Sequence, residues 1–362
     1  MGSFNPYSIS SWLTSVFPPL RKTQTTNFSL AIFGMVKKQS SNMSEIVRAW
    51  SGTMSHRHRW KRLQRFFSNP LIKPEQLMAL WVKWCMKTFT AGSEYVYIAI
   101  DWSTLKRGHQ CILIALVLHG RGVPLMWQIV PSWDDIKDSQ NRIEQRLLAK
   151  LLNLIPKDKC PIIIGDRGFG YTDLIKFLMR KEALFVLRVK ADVMITPHKG
   201  RKRKLRNFQL TPGEQLWFPN IKYRQQNPVC GVNLATTIAQ DSEDSWLLIT
   251  NLDDVAATIT CYELRFQIEE WFKDLKHMIR IADMRTKNMK RIRRIIFTAC
   301  IADGLLMVIG KLTDTHNDWK DHLITGRNRS ASLIWFAIKI IQEKLGNQSF
   351  WGLVWKTARC GP

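Results

Sequence analysis

The order of elements in the sequence predicts an α/β protein: a mixed sheet flanked by helices, interrupted by a β-rich insertion, with helical N- and C-terminal regions. Three observations carry this. Residues 95–130 hold three apolar runs, rich in β-branched and aromatic residues, joined by short links. Residues 139–189 alternate helical periodicity with short buried strands, and both ends of the chain place apolar residues at helical spacing. Adjacent antiparallel strands followed by α/β crossovers give a mixed sheet covered by helices.

Residues 1–90 form the first region. Ile46, Trp50, Trp60, Leu63, Phe66 and Phe67 recur there at helical spacing, interleaved with Arg48, Arg57, Arg59, Lys61, Arg62 and Arg65. Asn69-Pro70 and Lys73-Pro74 punctuate it. Residues 95–100 (YVYIAI) read as a strand ending at Asp101. A second strand covers 111–118, and a third covers 123–130 after a turn at Gly120-Arg121-Gly122. Residues 139–154 carry Ile143, Leu147, Leu148, Leu151 and Leu152 on one helical face. Residues 161–164 are a short strand ending at Gly165-Asp166, 171–181 a helix and 184–189 a strand. Residues 190–245 lack helical periodicity, with β-like pieces at 215–218, 221–224 and 234–239. Residues 246–250 (WLLIT) read as a buried strand and 260–280 as one amphipathic helix. Residues 290–345 are helical again, and the residues beyond 345 read as a tail. The division is therefore 1–90, 91–189, 190–245, 246–285 and 286–362.

Charge gives the first functional clue. The 362 residues carry 54 Lys and Arg against 29 Asp and Glu, a formal net charge of +25. Residues 1–95 hold 13 basic and 3 acidic side chains, 199–206 (KGRKRKLR) six basic in eight, and 285–294 (RTKNMKRIRR) six in ten. Such a surplus repels itself and is relieved by a polyanion, with nucleic-acid phosphate the natural partner. By composition, residues 1–90 are expected to be a helical DNA-binding region, though charge alone does not separate a DNA enzyme from a passive binder or an RNA-binding protein. The longest apolar run, 295–310, is interrupted by Asp303 and falls short of the roughly 20 residues of a spanning helix, so no membrane is expected. Seven scattered cysteines form no CxxC clip. The expectation is a cytoplasmic, DNA-associated protein.

Two aspartates, Asp101 and Asp166, end apolar strands, which is where α/β sheets build sites; the alternative is a turn-capping role. On a helix over 260–280, Tyr262, Arg265, Glu269 and Lys276 share one face at the margin of an apolar stripe, and Glu270 points away. The alternative for Arg265 and Glu269 is an ordinary i,i+4 ion pair. Three carboxylates offer hard oxygen ligands suited to two Mg²⁺ or Mn²⁺ ions. At about 3.5–4 Å apart, two such ions activate a water or a 3′-hydroxyl and stabilise the leaving oxygen of a phosphodiester.

Tyr262-x2-Arg265-x3-Glu269-x6-Lys276 resembles the signature of the insertion sequence four family of bacterial DDE transposases. The order IAIDWS (Asp101), IIIGDRGFG (Asp166), a β-rich stretch and then the Glu is similar as well. The resemblance implies an RNase H-like fold, with Asp101, Asp166 and Glu269 as the metal ligands. Tyr262, Arg265 and Lys276 would contact phosphates near the transposon end, and Arg167 would be a further contact. In hairpin-forming relatives a tryptophan opening the strand before the Glu helix stacks on a flipped base, and Trp246 stands there; plain packing is the alternative. The implied activity is cut-and-paste transposition by a homodimer on double-stranded DNA. A structure-selective nuclease of the same fold and an inactive DNA-binding descendant are the competing readings.

Overall fold

The computed structural model describes residues 3–105, 108–118, 120–131, 139–208, 211–238, 244–277, 280–315 and 332–361. Its strands are β1 (Tyr95–Thr104), β2 (Gln110–Leu118), β3 (Arg121–Val130), β4 (Cys160–Gly165), β5 (Leu184–Arg188), β6 (Met194–Thr196), β7 (Arg203–Lys204), β8 (Gln215–Tyr223), β9 (Val229–Thr237) and β10 (Trp246–Thr250). They form one ten-stranded sheet in the order β3-β2-β1-β4-β5-β10-β9-β8-β6-β7. β4 pairs in parallel with β1 and β5, and the other neighbours are antiparallel. β2 is buried on both faces over nearly its whole length, which is why it reads as an unbroken apolar run. Between β3 and β5 the crossovers run through α6 (Gln140–Leu152) and α7 (Thr172–Arg180). The Ser139 hydroxyl caps α6, accepting from the Arg142 amide at 3.2 Å.

Four details differ from the sequence reading. First, β1 does not stop at Asp101. It loses its parallel neighbour after Ile100↔Gly165, while its hairpin with β2 continues to Thr104↔Gln110. Second, the two short pieces at 215–224 are a single strand, β8, whose register shifts between Phe218 and Ile221. Asn220 lies there at φ 49°, and that bend breaks the alternation on which strand reading depends. Third, the residues after 345 are not a tail. α12 (Gln348–Cys360) buries Phe350, Trp351, Val354 and Trp355, and the Ala358 carbonyl accepts from the Trp84 indole at 2.6 Å; α11 (Leu333–Gln342) precedes it.

The expected single helix over 260–280 is also two helices, α8 (Val255–Glu263) and α9 (Phe266–His277). The chain turns at Leu264-Arg265, closed by i→i−3 bonds such as Arg265 N to Tyr262 O at 3.0 Å. α8 packs on β5, β9 and β10, whereas α9 crosses β1, β2 and β3. One straight helix cannot follow both halves of a twisted sheet, so the chain re-aims between them.

The helices α1 (Pro6–Val16), α2 (Lys22–Lys38), α3 (Met43–Arg48), α4 (His56–Ser68) and α5 (Pro74–Phe89) share a core with α10 (Met289–Thr315). Phe297 of α10 lies 5.8 Å from Phe17, 5.7 Å from Phe28 and 5.9 Å from Trp127 of β3, ring centre to ring centre. α10 is long and apolar enough to cross a membrane by composition, but 89% of its most apolar window is buried inside the protein. It also anchors α9, because the Trp271 indole donates to the buried Asp303 carboxylate at 2.9 Å.

Candidate active site

Strand register brings the two aspartates together. In the parallel β1–β4 pair, Ala99 lies beside Ile164 and Ile100 beside Gly165. One step further, Asp101 and Asp166 leave the same face on neighbouring chains, which run about 4.8 Å apart. Asp101 accepts from the Trp102 amide at 2.8 Å, and Asp166 accepts from the Gly168 amide at 2.9 Å. The turn-capping role weighed for Asp166 is thus real, and it coexists with its place beside Asp101. The Gly165–Gly170 loop is set by close packing: a Cβ on Gly165 would lie 2.9 Å from the Phe169 Cβ, and one on Gly170 2.7 Å from Val189. The Tyr223 hydroxyl donates to the Gly170 carbonyl at 2.6 Å and pins the loop from β8.

Glu269, in the first turn of α9, pairs with Arg265 at 2.6 Å. Arg265 is almost enclosed. Burial pushes the Asp101 carboxyl up to about 7, and the charges of Asp166 and Glu269 add to the rise; Arg265 and the Trp102 amide oppose it. The three carboxylates and Arg265 therefore form one electrostatic unit. Glu270 faces elsewhere, paired with Lys273 and, at 3.8 Å, with Arg121.

The break after α8 puts Tyr262 on a different helix from Glu269 and Lys276, while the Arg265 guanidinium stays 5.7 Å from the Tyr262 ring centre. Tyr262 is fully buried under the edge of Trp246, with ring centres 4.9 Å apart and planes at 71°. Trp246 is half-buried and also meets the exposed Phe266 at 5.9 Å. The Arg265 guanidinium lies over the Phe266 ring at 4.9 Å. The Lys276 side chain lies outside the described residues.

Arg167 is exposed and pairs with Asp244 at 3.1 Å. Asp244 also receives Arg188 of β5 at 2.5 Å, which holds its carboxyl below the usual range. Arg188 escaped the sequence reading, although it ends an apolar strand (LFVLR) just as Asp101 and Asp166 follow theirs. The Nε atoms of Arg188 and Arg265 are buried without an acceptor among the described residues, a pair of donors suited to an anion. Glu144, on the buried face of α6, escaped it too.

No group of three metal-ligating side chains is already gathered among the described residues. The donor set nevertheless fits a divalent cation in chemistry: hard carboxylate oxygens, partly buried, with Asp101 raised first by burial and then by the charges of Asp166 and Glu269. Glu269 is turned to Arg265.

The basic clusters divide by exposure. Arg57, Lys61 and Arg65 of α4, and Lys199, Arg201 and Lys202, face solvent. In the 285–294 cluster, Arg294 is buried and donates to the Ile72 carbonyl at 2.8 Å and the Phe67 carbonyl at 3.1 Å; Arg293 donates to the Ile129 carbonyl at 3.2 Å. Those two arginines hold backbone carbonyls of α4, the link before α5 and strand β3, while Arg285, Lys287 and Lys290 remain exposed.

Carboxylates on neighbouring chains of a mixed sheet, set in a strongly basic molecule, are the equipment of a protein that handles phosphodiesters. Residues 92–302, more than half of the chain, match the family model described as transposase DDE domain, and the chain belongs to that family. It is therefore a transposase in general class. Among curated proteins, none matches the chain.

Proposed function

We propose that the chain is a cut-and-paste DNA transposase of the insertion sequence four type, with Asp101, Asp166 and Glu269 as its catalytic and metal-holding residues. The observation that carries this reading is the β1–β4 register, which sets Asp101 beside Asp166 within reach of the Glu269 charge. The strand order β3-β2-β1-β4-β5 and the β-rich segment after it agree with an interrupted RNase H-like fold.

In this reading Asp101, Asp166 and Glu269 would hold Mg²⁺ or Mn²⁺, two ions per site, with Asp101 as the carboxylate and Glu269 turned away from Arg265. When bound, the ions supply activation of water or a 3′-hydroxyl and neutralise charge on the leaving oxygen. Arg265, freed of Glu269, Arg167, Arg188 and Lys276 take phosphates near the element's end. Tyr262 supports Arg265 and Trp246 from below and reaches phosphate only if that cover shifts. Trp246, beside Phe266, offers a face for an extruded base; stacking of this kind is worth roughly 1–3 kcal/mol and would serve a hairpin step. The DNA is double-stranded at the element's ends and at the target, and a homodimer pairs two ends.

The test is cleavage and strand transfer on DNA flanking the chain's own gene, with Mg²⁺ or Mn²⁺. Glu269→Gln should abolish cleavage while leaving end binding within about twofold, since one charge among many phosphate contacts is a small change. Cuts without joining of a labelled 3′-end would favour a nuclease, and specific binding without cuts an inactive descendant. Equal loss of binding in the mutant would make Glu269 structural.

A further inference from the structure

Glu144 is a carboxylate with no exposed surface, on the face of α6 that packs inward. Its Oε1 accepts from the Trp102 indole at 2.7 Å and its Oε2 from the Tyr171 hydroxyl at 2.9 Å. Among the described residues no cation pairs with it. Burying an unpaired carboxylate is unfavourable, and an apolar side chain would fill the same space at less cost. Packing alone therefore does not account for it. Its raised pKa has burial as the first cause, with the Asp166 charge adding to it.

Two of its donors, Trp102 and Tyr171, stand at telling places, while a third, the Gln140 side chain, lies on α6 itself. Trp102 directly follows Asp101 in β1. Tyr171 closes the loop that begins with Asp166 and leads into α7. The β1–β4 register sets the two aspartates side by side, but the ladder ends at Ile100↔Gly165, so no ladder bond at their own positions holds their spacing. Both segments are instead tied to one carboxylate on α6.

We propose that Glu144 is a positioning residue: by binding Trp102 and Tyr171 together it sets the spacing of Asp101 and Asp166. The inference rests on the metal-site reading above. Partners that orient metal ligands in this way typically change metal affinity by about 10–100-fold when removed.

The experiment is Mn²⁺ titration of the full-length, DNA-free protein by paramagnetic resonance, paired with the Mn²⁺ dependence of cleavage. Glu144→Ala should weaken Mn²⁺ binding about tenfold or more. It should raise the Mn²⁺ concentration needed for half-maximal cleavage, keep the rate at saturating Mn²⁺, and leave metal-free DNA binding unchanged. Glu144→Gln keeps one acceptor oxygen and should recover most of the affinity. Unchanged Mn²⁺ affinity in a folded Glu144→Ala protein would overturn the proposal, as would a loss in both variants that only tracks their melting temperatures. If Glu144→Ala does not fold, Tyr171→Phe removes one arm of the brace with little change of shape; it should weaken Mn²⁺ binding severalfold, and wild-type affinity would overturn the proposal. Wild-type protein that binds Mn²⁺ no better than Asp101→Asn would bring down the metal-site reading itself, and this inference with it.

Discussion

Replacing Asp101 with asparagine removes a charge that the fold holds against its preference. The carboxyl rises from 3.8 to about 7 because it is buried and faces Asp166 and Glu269. The folded protein thus binds this proton more tightly than the unfolded chain does. Below about pH 4 both states hold the proton and the group leaves stability unchanged. Between about pH 4 and pH 7 the unfolded chain releases it first, so stability falls as pH rises; above about pH 7 the full penalty applies. Roughly three units at about 1.4 kcal/mol each set a ceiling of about 4 kcal/mol, and water at the open side of the site brings the expectation nearer about 2 kcal/mol. Asparagine keeps the acceptor for the Trp102 amide, so the packing change is small. Urea titrations in EDTA, monitored by tryptophan fluorescence, should therefore find Asp101→Asn more stable than wild type by about 2 kcal/mol at pH 8 and equal to it near pH 4. Adding Mg²⁺ should stabilise wild type and leave the variant unmoved. The same proton should slow cleavage as pH falls below about 7. A gain that does not depend on pH, or no gain at all, would refute the reading of Asp101 as a carboxylate held up by burial and by its acidic neighbours.

Trp246→Ala should spare the first nick and lower the hairpin yield about tenfold, read on a denaturing gel; an unchanged yield would leave Trp246 as packing for Tyr262 alone. Asp244→Asn releases Arg167 and Arg188 from their carboxylate and should tighten binding of a phosphate backbone severalfold at low salt. Weaker binding would mean that Asp244 orients those arginines. Arg294→Met should lower stability by about 2–3 kcal/mol, since it strips the donors from the buried Ile72 and Phe67 carbonyls. Lys290→Ala should instead lower DNA affinity with little change in denaturation midpoint, and a reversal of the two effects would overturn the division of that basic cluster.

The sheet was legible where periodicity is local. The runs at 95–100, 111–118 and 161–164 reported strands because β2 is buried almost throughout and β1 and β4 are buried over 98–100 and 162–165, where little but apolar residues is tolerated. The break between α8 and α9 was not legible, because LeuArgPhe carries no Gly or Pro and the turn answers to the sheet beneath. The aromatic spacing of α12 was present in Phe350, Trp351, Val354 and Trp355, but the surface it packs against lies far away in the chain. Asp101 and Asp166 were legible as strand-following acids, whereas their adjacency is a matter of register. Glu144 could have been noticed as an acid on an apolar stripe, flanked by Ile143, Leu147 and Leu148. Its partners Trp102 and Tyr171 come together only in three dimensions. The arginine cluster at 285–294 misled in part, since composition does not distinguish a phosphate contact from a guanidinium that caps carbonyls.

The ring cluster around Phe297 has a consequence for how the molecule comes into being. Phe17 and Phe28 leave the ribosome long before the helix that covers them. At about 5–20 residues per second, the interval between those rings and Phe297 is on the order of tens of seconds. During that wait the amino-terminal helices offer an open aromatic face to whatever is near, chaperones included. A chain released early lacks the central α10 helix and keeps that face exposed, even though its β1–β5 strands and both aspartates are already made. The amino-terminal core therefore closes only once α10 has been made.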